Sequence, residues 1–145
     1  MNIKQALKYK NKLVTQIKEL YEIAKAHNSI EQGNPRRYSA REAINKAEEL
    51  AVALVELKTQ IHMANAPVYG LIFKMSELKN QVKQIKSIPV NEGTVTERYG
   101  SVSTIKEVEL NIVERDNLVK ELENKIEAIQ DALDTHNANT QIELK

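Results

Sequence analysis

Six apolar positions between residues 47 and 64 restrict this chain more than any other feature. Ala47, Leu50, Leu54, Leu57, Ile61 and Ala64 recur at spacings of three and four, the signature of a coiled-coil-like helical seam. A strand would bury every second residue, and this pattern cannot satisfy that period. The helix opens after Ser39, where Ser39-Ala40-Arg41-Glu42 has the form of a capping box. It ends at Asn65-Ala66-Pro67, because proline disfavours helix in the residue before it.

Three further segments read as helices. Residues 3–27 place Ile3, Leu7, Leu13, Val14, Ile17, Leu20 and Ala24 on one stripe, and residues 68–87 do the same with Leu71, Met75, Leu78, Val82 and Ile85. The longest stripe runs Ile105, Val108, Ile112, Arg115, Val119, Leu122, Ile126, Ile129, Leu133, His136, with a second capping-box pattern at Thr104–Glu107 predicting the helix start near Thr104. Residues 88–104 break the period. Pro89, Gly93, Gly100 and the alternation Thr94-Val95-Thr96-Glu97-Arg98-Tyr99 fit an irregular loop or a short hairpin. The expected fold class is all-α, an antiparallel bundle of long helices in a single domain over residues 1–145.

Composition agrees. Among 145 residues there are 4 Gly, 3 Pro and no Trp, so turns are few and the core is aliphatic. The absence of cysteine excludes disulfides, thiol catalysis and Cys-based zinc sites. The longest apolar run, Leu50–Val55, is far short of the roughly 20 residues of a membrane span, and no secretory leader is evident. A cytoplasmic protein (the host cytoplasm for a phage-encoded chain) with no membrane partner is expected.

The formal net charge of +1 hides an asymmetry: residues 1–28 hold six Lys and two acids, whereas residues 105–145 hold five basic and ten acidic residues. Opposite ends can attract within one subunit or between subunits. A nucleic-acid partner is not expected, since the acidic segment opposes any basic arm. The seam of the last helix looks too long for one thin subunit to cover, so a homo-oligomer is expected.

Chemistry-bearing groups are sparse. His27, His62 and His136 are far apart and form no short-spaced ligand pair, so no metal and no other cofactor is expected. No phosphate loop, nucleophile elbow or zinc-protease motif occurs, which points away from an enzyme. Two segments share a composition able to hold an anion with a planar ring: Arg36-Arg37-Tyr38 and Arg98-Tyr99-Gly100-Ser101. Arginine supplies a donor fork, tyrosine a stacking face, and a helix N-terminus follows each segment. Arg115 interrupts an apolar stripe, which fits either a register-setting Arg or one facing a ligand. The candidate ligand residues are thus Arg36, Arg37, Tyr38, Arg98, Tyr99, Ser101 and Arg115. The other reading of the loop residues is that they brace their loops against neighbouring helices.

The order of these features resembles the septicolysin-like family of small helical proteins of bacteria and their phages. The resemblance rests on the basic first helix, the second helix closing on Ile61–Asn65, Arg98-Tyr99 with Ser101, Val102-Ser103-Thr104, and the tail Asn137-Ala138-Asn139-Thr140. The family name implies a cytolysin, but no alternating hairpin here is long enough to span a bilayer, and no catalytic residue of the family maps onto this sequence. Two functions follow as expectations: capture of a small anionic, nucleotide-like ligand, such as a host signal molecule, or a structural role exerted through helical assembly.

Overall fold

The computed structural model describes residues 1–96 and 103–144. Four helices carry the fold: α1 (Ile3–His27), α2 (Ala40–Ala64), α3 (Tyr69–Lys86) and α4 (Ile112–Asn139). A 3-10 turn, Ala66–Val68, links α2 to α3. Two short strands, β1 (Gly93–Thr96) and β2 (Ser103–Lys106), pair antiparallel with Gly93 opposite Lys106 and Thr94 opposite Ile105. The all-α class is as expected from the sequence, with a hairpin in the segment that broke the helical period.

The chain divides into two compact units: residues 1–68 with 134–145, and residues 69–133. The first is built on α1 and α2, which run antiparallel. Ile3, Ala6 and Leu13 at the start of α1 cluster with Leu57 and Ile61 at the end of α2. Ala24, near the end of α1, meets Ala40 and Ala43 at the start of α2. Small residues at that end allow the backbones to approach, while branched and long side chains fill the other end. The N-termini of α1 and α2 are capped by side chains, and of the box expected at Ser39 it is the Ser39 half that is formed. Asn2 accepts from the Gln5 amide at 2.8 Å and Gln5 returns the bond at 3.0 Å; Ser39 accepts from the Glu42 amide at 3.2 Å.

The tail closes this unit. Ile142 is buried in the same cluster as Ile3 and Leu57. The Ile3 amide donates to the Thr140 carbonyl at 3.0 Å, and the Ile142 amide donates to the Met1 carbonyl at 2.9 Å. Val14, expected on the buried stripe of α1, is 47% exposed, because Leu13 beside it takes the inward position.

In the second unit the Lys86 ammonium pairs with Glu123 at 3.5 Å, linking the last turn of α3 to α4. Leu78, Val119, Ile129 and Leu133 are its buried side chains among the described residues. The expected start of α4 near Thr104 is corrected. Thr104 and Ile105 belong to β2, Ile105 is exposed, and the helix begins after Asn111, whose side chain accepts from the Glu114 amide at 2.9 Å. Strand pairing claims the residues whose spacing imitated a helical stripe, and Asn111-Ile112-Val113-Glu114 provides the cap. Gly93 enters β1 at φ +86°, a left-handed backbone that favours glycine over any residue bearing a Cβ.

Candidate functional site

The connection between α1 and α2 holds three of the seven candidate ligand residues, and the two it engages most closely serve the fold. The last carbonyls of α1 have no partner within the helix and carry the negative end of its dipole. Arg36 answers both needs: Nη1 donates to the His27 carbonyl and Nη2 to the Asn28 carbonyl at 3.2 Å. Tyr38 lies against His27, with ring centroids 4.6 Å apart and planes tilted by 49°. This is the bracing arrangement, in which one planar fork and one ring fasten the connection to the helix before it.

Arg37 differs. It makes no ion pair among the described residues, and its side chain is exposed. It lines a cavity of ≈ 340 Å³ shared with His27, Ile30, Asn34, Pro35 and Arg36. That volume suits a small anion or a compact ring. With Arg36 spent on backbone carbonyls, Arg37 is the cation left for a ligand in this cavity.

Arg115 is 20% exposed and occupied. Its Nη1 donates to the Ile88 carbonyl at 3.4 Å, while Nε and Nη2 reach Asp116 Oδ1 at 3.3 Å. It ties the chain leaving α3 to the first turn of α4. Arg98, Tyr99 and Ser101 lie outside the described residues.

Sequence reasoning overlooked a face of α2. Val52, Val55 and Met63 are 72%, 64% and 63% exposed, and Ile44 is partly so. At 100° per residue these positions lie opposite the Ala47–Ala64 seam, so α2 carries exposed apolar side chains on its outer side, interspersed with Glu48 and Thr59. The unbroken run Leu50–Val55 carried the signal, because a helix with a single apolar face does not need six successive apolar residues.

Among the described residues no helix is long and apolar enough to cross a membrane, and no group of three His, Asp or Glu side chains is arranged to hold a metal ion. No family model matches the chain, and comparison with curated proteins and with solved structures likewise gives no match.

Proposed function

We propose that this chain acts as a non-enzymatic, self-assembling helical protein whose working parts are helix surfaces. The exposed apolar side chains on the outer side of α2 carry this reading. Fully burying a side chain such as Val or Met gains roughly 1.5–3 kcal/mol, so exposure of Val52, Val55 and Met63 in one chain leaves a large gain to be made by covering them. The thin aliphatic core supports the same reading, since few large side chains are buried in either unit.

Light scattering coupled to size exclusion tests it. The wild-type chain should run well above its monomer mass of 16.5 kDa at micromolar concentration, and a Val52→Lys/Val55→Lys variant should lose mass while keeping its helical circular dichroism. A wild-type mass of 16.5 kDa at every concentration overturns the proposal.

A second reading, capture of a small anion, is favoured by Arg37 beside its ≈ 340 Å³ cavity. Calorimetric titration with inorganic phosphate and with a nucleoside monophosphate tests it. Binding that disappears in Arg37→Ala supports capture, and absence of heat with either probe removes it.

A further inference from the structure

The outward face of α1 and one face of α4 carry matching charge patterns. Along α1, Lys8, Lys12 and Glu19 follow one another at intervals of four and seven residues. Backwards along α4, Asp131, Glu127 and Lys120 follow at the same intervals, with every sign reversed. Steps of four and seven keep residues on one side of a helix, so each set forms a stripe about 16 Å long at 1.5 Å per residue. All six side chains are exposed, and none makes an ion pair among the described residues. The neighbouring charges that would spoil the match are already neutralised: Glu22 by Lys25 at 3.4 Å, Glu123 by Lys86 at 3.5 Å, and Asp116 by Arg115 at 3.3 Å.

We infer that the α1 stripe of one copy docks antiparallel on the α4 stripe of a second copy, with Lys8 facing Asp131, Lys12 facing Glu127 and Glu19 facing Lys120. Charge complementarity selects this occupant. A polyanion would satisfy the two lysines and repel Glu19, whereas the α4 stripe changes sign at the same rung. A shift by one helical turn takes Glu19 away from Lys120 and sets it against Glu123 or Asp116, whose charges are already paired, so the shifted register gains no pair there. Every copy carries both stripes, so each copy offers a surface for either side of the pairing. The inference rests on the self-assembly proposed above and names a surface for it other than the α2 face.

The test measures mass by light scattering for the wild type and for two variants, Lys8→Glu/Lys12→Glu and Glu127→Lys/Asp131→Lys. At about 0.1 M salt, where charges interact over roughly 10 Å, each variant alone should associate at least tenfold more weakly than the wild type. An equimolar mixture of the two variants should recover association, because each supplies the stripe that the other lacks. At about 1 M salt the advantage of the wild type should shrink. Circular dichroism confirms that the variants remain helical. If the wild type is oligomeric and charge reversal leaves its mass unchanged, the ladder is wrong while self-assembly stands. If the variants weaken but their mixture fails to associate, the stripes do not meet between copies and the inference falls. A wild type that is monomeric at low salt overturns both readings.

Discussion

His136 Nε2 lies 3.1 Å from the carbonyl oxygen of Ala64, joining the last turn of α4 to the last turn of α2 across 72 residues of sequence. A carbonyl only accepts, so Nε2 carries the proton. In the neutral ring Nδ1 then accepts from the Thr140 hydroxyl, 3.1 Å away. One side chain thus fixes the position where the tail leaves α4 and turns toward Ile3.

Replacing His136 by Ala removes both bonds in a partly buried setting and leaves the Ala64 carbonyl without that donor. The expected cost is about 1–3 kcal/mol, read as a lower urea midpoint with unchanged slope. Thr140→Val removes the second bond and spares the first, so its loss should be smaller, about 0.5–1.5 kcal/mol.

Leu57 and Val52 sit on opposite sides of α2 and should respond in opposite ways. Leu57 is fully buried in the cluster with Ile3 and Leu13, so Leu57→Ala should destabilise the fold by about 2–5 kcal/mol. Val52→Ala should leave the chemical stability of the isolated chain within about 0.5 kcal/mol of wild type while weakening self-association. Denaturant unfolding at several protein concentrations separates the two effects.

The seam of α2 and its Ser39 cap were legible because period and cap agree there on one answer, and the period alone marked the bounds of α1. The hairpin was harder. Ile105 and Val108 fit a helical stripe by spacing and Thr104 fits its cap, and pairing of Ser103–Lys106 with Gly93–Thr96 is a non-local fact that no local window contains. The fate of the arginines was legible only as alternatives. Arg36, Arg37 and Arg115 look alike in sequence, and the difference lies in which backbone carbonyl each can reach. His27 and Ile88 offer theirs to Arg36 and Arg115, while Arg37 is left facing a cavity.

Neighbouring arginines should therefore separate cleanly by experiment. Arg36→Ala should lower the melting temperature, with a loss of about 0.5–1.5 kcal/mol once solvent exposure is allowed for, because the end of α1 loses its donors. Arg37→Ala should leave the melting temperature within a degree or so of wild type, given that surface changes of this kind stay within about 0.5 kcal/mol. Differential scanning calorimetry of the two single variants checks the contrast.

Asn111 offers a prediction for α4. Its side chain holds the Glu114 amide at 2.9 Å, so Asn111→Ala should cost about 1 kcal/mol, whereas Thr104→Ala, at the start expected from spacing alone, should leave the first turn of α4 unaffected. Amide hydrogen exchange at residues 112–115 distinguishes them.

The burial of Ile142 against Ile3 has a consequence for how the chain comes to be folded. A ribosome releases the α1–α2 hairpin long before residue 142 emerges, at roughly 5–20 residues per second. During that interval the Ile3–Leu57 cluster stands open on one side, and the amide of Ile3 waits for the carbonyl of Thr140. Folding of the first unit is therefore completed only once residues 140–142 have emerged, by a contact between Ile3 and Ile142, which are far apart in sequence. An interrupted message yields a hairpin with an open apolar end, a target for the proteases and chaperones that recognise such surfaces.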